Sequence, residues 1–536
     1  MSTDLATYLT RRKQLIAEDT SLRVDNKKLA SLTPTESVAE TIVRKIRSSE
    51  ADEIWSHKNE DLEHPFPGMA FLTAKKAIEL TRLFRIVKAM PKGALLHAHL
   101  EATVDARVLL QQAILHDNIC IRTPGTVTVE NVSSTLPDFY VMPKGAKYDR
   151  SPSVTSPDYH PSFNVSTAKA RSEWPESLGG PEGFDSWVIR SLTINPEESY
   201  GTHNTIIKIW NKFISCFSVS RGILGYEPIY RKFLRHLLES CVEDGISYAE
   251  FRMNLTIKTI MVKEDGTTPV DHEGFFTIFQ EELTSYLKDL AEAGQSDAFI
   301  GAKLIYTIIR VISSEELEWY LDDCLSLKQK FPTILAGFDI VGSEDTGKPL
   351  IDYLEPLLAF RRKCEQSGVD LPFLFHAGET LGDGNSVDQN LYDAILLGTK
   401  RIGHAFSIVK HPTLMRICRE KNICCEVCPV SNEILVCRSL IRPLALADNW
   451  ITLVVEVDII NASSPFTSNA KPWRPRQTIS FASFLSNANK TSVALASDDP
   501  GIFSNIGLSY DFFQVLVSSE ISGLMTLGVL ARQSLE

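Results

Sequence analysis

Four short segments carry the residue types that a hydrolytic metal centre needs: His97-Ala98-His99, His376-Ala377-Gly378-Glu379, Arg401-Ile402-Gly403-His404 and Ser497-Asp498-Asp499-Pro500. Each lies at the end of a short apolar run. His97, His99, His376 and Asp498 together offer three imidazoles and a carboxylate, which suits one borderline divalent ion per chain, expected to be Zn²⁺, with Fe²⁺ and Co²⁺ tolerated by the same donors. Alternating strand geometry sends both imidazoles of a His-X-His to one face. That pattern is weak alone, and His376 at a later run end strengthens it. The Asp498-Asp499 pair before Pro500 reads in isolation as a turn or helix cap. At a strand end, however, one carboxylate points inward, so Asp498 is assigned to the metal and Asp499 to the substrate.

Such a site would lower the pKa of a bound water to ~7. Glu379 could be a further ligand, but its better role is proton shuttle. It would protonate a ring nitrogen of an aromatic amidine and later help ammonia leave. His404 would orient the attacking hydroxide and stabilise developing charge, and Asp498 could also accept the water's proton.

These residues need a scaffold that brings distant strand ends together. From Gly93 onward eight apolar runs recur: 93–100 (GALLHAHL), 246–254 (ISYAEFRMN), 299–307 (FIGAKLIYT), 334–342 (ILAGFDIVG), 371–379 (LPFLFHAGE), 401–407 (RIGHAFS), 423–431 (ICCEVCPVS) and 492–500 (SVALASDDP). Helical periodicity fills stretches between them, as in 228–243, 273–293, 314–330, 350–366 and 387–397. Alternating strands and helices predict a parallel sheet, and eight units permit a (β/α)₈ TIM barrel. Placing the polar candidates at the C-terminal ends of the runs agrees with that fold. An open doubly wound sheet is the alternative, but no glycine-rich phosphate loop follows the first run.

Residues 1–92 read as a helical N-terminal extension, and 93–536 as the barrel domain. Residues 117–205 are rich in Ser, Pro, Gly and Asn and read as an insert that separates the first run from its helix. Residues 448–489 read as an atypical polar loop. The chain is expected to stop soon after the last barrel helix begins, leaving terminal strands exposed and stability reduced.

The 536 residues carry a net charge of -12, which argues against nucleic-acid or anionic-membrane partners. Ten cysteines lie largely within apolar runs and read as small buried thiols. The Cys425 to Cys428 spacing resembles a zinc or redox pair, but no second pair accompanies it. With Arg11-Arg12-Lys13 near the start and no apolar core behind it, the expectation is a cytoplasmic protein.

The ordered set HAH, HAGE, GH and SDD, with GFDIVGSED at 337–345 and CPVSN at 428–432, resembles the adenosine/AMP deaminase family of metal-dependent amidohydrolases over roughly residues 75–530. It is most similar to the adenosine deaminase-related growth factor type, through the segment from Trp210 to Phe217, Tyr248 to Arg252 and the 507–512 stretch. The resemblance implies zinc-dependent deamination of adenosine or 2′-deoxyadenosine to the inosine form plus ammonia. It also implies a purine nucleoside as the small-molecule partner and a homodimer through the N-terminal extension. By position, His97, His99, His376 and Asp498 become the ligands, Glu379 the proton donor and His404 the residue positioning hydroxide. Gly342 and Asp499 would contact the purine, and Trp210, Phe213 and Phe217 would line the pocket. Glu101 stands where many deaminases place an Asp that contacts ribose. Two alternatives stay open: an AMP deaminase of the same fold, and a catalytically weak binding or signalling protein. A binuclear amidohydrolase is disfavoured, since the 334–342 run carries no bridging lysine.

Overall fold

The computed structural model describes residues 4–56, 59, 62, 65–146, 151–203, 205–436 and 491–536. The polar loop expected at 448–489 therefore lies outside the described residues. Strands β1 (Gly93–His99), β2 (Ile246–Asn254), β3 (Gly301–Ile309) and β4 (Leu335–Val341) pair in sequence order, all parallel. Strands β5 (His376–Ala377), β6 (Arg401–His404), β7 (Cys424–Val427) and β8 (Val493–Leu495) form a second parallel set, also in order. Parallel bridges Phe338↔Phe373 and Ala98↔Asp498 join the two sets at both seams. The fold is thus a closed (β/α)₈ barrel, and the open-sheet alternative fails because the last strand's end returns to the first.

All eight strands overlap the apolar runs read from sequence. They are apolar along almost their whole length because helices cover one face and barrel side chains fill the other. The intervening helices Glu227–Glu243, His272–Glu292, Ser314–Lys330, Leu354–Gln366 and Asn390–Leu396 fall on the five helical stretches expected, the last two shorter than expected, and Pro412–Glu420 is a helix not expected from the sequence. Ser314–Lys330 starts where it does because Ser313 and Glu316 form a reciprocal capping box.

The segment before the barrel is helical, as expected, with helices Leu5–Ser21, Pro34–Glu53, Phe71–Leu80 and Arg82–Ala89 among its elements. It is tied to the far end of the chain. Arg47 donates to the carbonyls of Ser519 (2.9 Å) and Ser522 (2.8 Å), and Thr526 Oγ1 donates to buried Asp25 at 2.6 Å. Helix Leu5–Ser21, by contrast, buries none of its side chains.

One organisational expectation needs refinement and another correction. Helix Ala106–Leu115 lies between β1 and the insert, an addition to the expectation, while helix Glu227–Glu243, which leads into β2, follows the insert as expected. The insert contains a three-stranded antiparallel sheet (Ile119–Arg122, Asp138–Val141, Val165–Ser166) and helix Gly180–Leu192. Beyond it, helix Ile206–Leu224 reaches the barrel mouth. Nor are the last strands left bare. Helices Ser509–Ser518 and Leu524–Gln533 follow β8, and Ser534 Oγ accepts from the Ala94 N–H of β1 at 2.7 Å. These helices bury the apolar backs that an abrupt stop would expose, which removes the reason to expect low stability.

Among the described residues nine cysteines are unpaired, eight of them buried, in line with the buried-thiol reading. No described helix is long and apolar enough to cross a membrane.

The contact between β1 and the last helix yields a paired test. Gly93 has φ +77°, and a Cβ there would meet the Ala531 carbonyl oxygen at 2.0 Å. Gly528, on the same helix, is exposed with open space around it. Gly93→Val is expected to destabilise by about 1–3 kcal/mol from backbone strain alone, whereas Gly528→Ala should stabilise by about 0.5–1 kcal/mol. Denaturant midpoints of both variants check the contrast; similar shifts would refute this account of the closure.

Candidate metal and active site

The site assembles from strand ends that lie far apart in sequence. His97 and His99 share one face of β1, His376 opens β5, His404 ends β6, and Asp498 follows β8. Among the described residues, one donor atom from each of His97, His99, His376 and Asp498 lies within 4.8 Å of all the others. The Asp498 Oδ1 faces His97 Nε2 at 3.2 Å and His99 Nε2 at 3.3 Å. His404 Nε2 lies 3.9 Å from Asp498 Oδ2.

The backbone is bent to achieve this. His404 (φ 61°), Ala405 (φ 49°) and Asp498 (φ 62°) all occupy the left-handed region, at a cost of about 1–3 kcal/mol each. Gly403 has a steric reason: a Cβ there would stand 2.8 Å from His97 Cε1. Only a glycine lets β6 pass that ring.

Behind the imidazoles lies a layer of carboxylates. His97 Nδ1 donates to Glu426 Oε2 at 2.9 Å, and His376 Nδ1 donates to Asp339 Oδ2 at 2.6 Å. Buried Arg252 joins the two acceptors, 2.8 Å from Asp339 Oδ2 through Nε and 2.8 Å from Glu426 Oε2 through Nη2. Burial opposes ionisation of both carboxyls. His376 and Arg252 nonetheless hold Asp339 well below the usual carboxylate range, as Arg252 and Arg401 do Glu426. A carboxylate only accepts, so each Nδ1 carries the proton and each Nε2 turns its lone pair toward the shared centre. His404 is oriented the same way, with Nδ1 donating to Asn432 Oδ1 at 2.9 Å.

Burial drives His376 well below the usual imidazole range and His404 down to about 4. Both are neutral at physiological pH, the form in which an imidazole ligates. His97 Nε2 and Asp498 Oδ1 are buried without a hydrogen-bond partner, a cost that a bound cation would relieve. The donor set and these orphaned atoms fit a borderline divalent ion held by His97, His99, His376 and Asp498.

Above this centre opens a cavity of about 380 Å³, lined by His99, Glu101, Trp210, Phe213, Phe217, Gly342, His376, Glu379, His404, Asp498 and Asp499. Thus every site residue singled out from the sequence reaches this cavity except His97, which lies fully buried against the others. Burial, then the charges of Asp498 and Glu344, push the Glu379 carboxyl well above its usual range. Burial and Asp498 raise Asp499 likewise, while His404 and His97 hold Asp498 low against burial. The Glu101 carboxyl rises to about 7 through burial and accepts from the Asn254 N–H at 3.3 Å.

The histidines set aside in the sequence behave differently. His272, for example, spends both ring nitrogens on Asp323 (2.7 Å) and the Ile257 carbonyl (2.8 Å). Sequence reasoning gave no role to Asp339, Glu426, Arg252, Asn432, Arg221 or Arg310, the last two also lining the cavity. The available signal was a charged residue inside an apolar run, as in 335–341 (LAGFDIV) and 424–427 (CCEV). Such a residue is almost never buried unpaired.

The adenosine deaminase family profile matches residues 193–441. Adenosine deaminase 2 of Homo sapiens is 30% identical over 477 residues, covering 88% of this chain and 78% of that protein. Adenosine deaminase 2 of Dictyostelium discoideum is 28% identical over 520 residues, covering 96% and 80%. Among solved structures, an adenine deaminase from Arthrobacter aurescens aligns with a TM-score of 0.46 and 16% identity, covering 83% of this chain and 93% of that one.

Arg252→Met leaves buried Asp339 without its cation and Glu426 with Arg401 alone. A loss of about 3–5 kcal/mol is expected, read as a lowered denaturant midpoint. An unchanged midpoint would show that the guanidinium does not hold this layer together.

Proposed function

Because this chain belongs to the adenosine deaminase family, we propose that it hydrolytically deaminates adenosine or 2′-deoxyadenosine, with Zn²⁺ held by His97, His99, His376 and Asp498. The observation that carries the reading is the meeting of the His97, His99 and His376 imidazoles with the Asp498 carboxylate beside the cavity that Glu379 also lines. When bound, a Zn²⁺ there supplies a Lewis acid that lowers the pKa of water to ~7.

The chain's own residues do the rest. Glu379, whose neutral form burial favours, donates to the purine ring nitrogen beside the amino-bearing carbon and makes that carbon electrophilic. His404 keeps an unpartnered Nε2 in the site, and this lone pair orients the attacking water. Asp498 Oδ2, already accepting from Ser431 Oγ at 2.6 Å, helps take the water's proton. Burial favours the neutral form of Asp499, in which its carboxyl can donate to a ring acceptor of the purine. Gly342, with φ 97°, turns its backbone along the cavity wall, and Trp210, Phe213 and Phe217 supply an apolar face for the base. These rings limit water beside the site, which strengthens the charge interactions there.

AMP is the second reading, and Arg221 and Arg310 in the cavity wall are what favour it. Arg310 Nη2 donates to the carbonyls of Ile340 (3.0 Å) and His376 (3.3 Å), but its Nε and Nη1 are buried without a partner. One detail favours the nucleoside: Glu101 shares the wall with Arg221 and, when ionised, would repel a phosphate.

Loss of the adenosine absorbance tests the activity. Turnover should vanish with a chelator and return with Zn²⁺, and adenosine should be consumed faster than AMP at equal concentration. Glu379→Gln should lower kcat by about 10²–10⁴-fold while bound zinc is retained. Absence of metal-dependent turnover on any aminopurine would refute the proposal, and little zinc in the purified protein would favour a non-catalytic scaffold.

We also propose a homodimer. Helix Leu5–Ser21 exposes Leu5, Tyr8, Leu9, Leu15 and Ile16 at helical spacing, and a helix of this length draws its stability from packing. Leu9→Glu combined with Ile16→Glu should convert a dimer to a monomer in light scattering. A wild-type monomer would refute it.

A further inference from the structure

We infer that His404, Cys428 and Asp498 form a second, sulphur-containing cation site beside the proposed zinc site, which takes a thiophilic divalent ion such as Cd²⁺ and thereby inhibits the enzyme. This rests on the deaminase reading above and extends it to regulation by metal excess.

Two groups of donors overlap at the mouth of the barrel. Besides the set already described, His97, His404, Cys428 and Asp498 each place a donor atom within 4.8 Å of the other three. The four residues are 0%, 1%, 0% and 2% exposed. His97 has a single free nitrogen, Nε2, which belongs to the first site. His404, Cys428 and Asp498 are therefore the donors left for the second.

The geometry of Asp498 divides the two sites. Its Oδ1 faces His97 and His99 at 3.2 and 3.3 Å, whereas its Oδ2 faces His404 Nε2 at 3.9 Å. That last separation is too long for a hydrogen bond, and His404 Nε2 is buried without one. Two ligands about 2.1 Å from one tetrahedral zinc sit about 3.4 Å apart, and a larger ion spreads them further. One carboxylate can therefore serve both ions.

Cys428 completes the set from the residue that follows β7. Its Sγ has one weak contact, 3.8 Å from the Glu426 carbonyl oxygen, so little is lost when it turns to a metal. A thiolate beside an imidazole selects soft and borderline ions over Mg²⁺ or Ca²⁺. On binding, the thiol proton passes to solvent and a sulphur–metal bond forms, with no change of oxidation state. The same ion occupies the His404 Nε2 lone pair that would orient the attacking water, so turnover stops.

The test starts from protein whose zinc content and adenosine turnover have been measured, so a failure of the deaminase reading is seen before cadmium is added. Cd²⁺ is then titrated in. The expected result is one cadmium bound with zinc retained by elemental analysis, an ultraviolet cadmium–thiolate charge-transfer band, and loss of turnover in step. Cys428→Ser should keep its zinc, lose the band and need roughly 10–100-fold more cadmium for inhibition. Should that variant fold poorly, cadmium NMR of the wild type must still show a resonance in the thiolate-ligated range. Zinc released as cadmium enters, a band that persists in Cys428→Ser, or a resonance with only nitrogen and oxygen ligands would each overturn the inference.

Discussion

A single buried guanidinium sets the geometry on which the site depends. Arg252 lies on β2 and reaches across the barrel interior to Asp339 on β4 and Glu426 on β7. Those carboxylates in turn fix His376 on β5 and His97 on β1. Five of the eight strands are thereby linked through charge-assisted hydrogen bonds in a region with almost no water to screen them. The desolvation cost is high, and it is offset only because each carboxylate meets a cation and an imidazole N–H together. The same bonds choose the tautomers, so the layer that holds the barrel's interior also aims the lone pairs above it.

The strand ends carry a second constraint. His404 and Asp498 sit at positive φ, where non-glycine residues are strained. In regular extended backbone their side chains would follow the strand alternation. The left-handed turn instead swings them over the centre formed by His97, His99 and His376. Strain in the backbone and unpartnered donors in the cavity occur in the same few residues, as expected where binding a ligand relieves what folding leaves unsatisfied.

Much of the architecture was legible because parallel barrel strands are buried on both faces and stand out as short apolar runs. Ile246–Asn254 and Ser314–Lys330 have the limits expected from pattern and capping. The His-X-His, HAGE and SDD motifs were legible for a related reason: polar residues ending an apolar run have few structural explanations. Other features resisted. β5 is reduced to His376–Ala377, which no propensity foretells. The burial of the last strands by Leu524–Gln533 depends on contacts between segments hundreds of residues apart.

From the sequence alone came the fold class, the identity of the residues that gather at the strand ends and the class of chemistry they suit, because alternation and residue type are local properties. Which nitrogen of each imidazole is free, which oxygen of Asp498 faces which histidine, and that Arg252 connects both supporting carboxylates were settled only by tertiary structure. Those facts depend on distances across a closed barrel, and electrostatic interaction varies with distance and burial, neither of which is encoded at any one position in the chain.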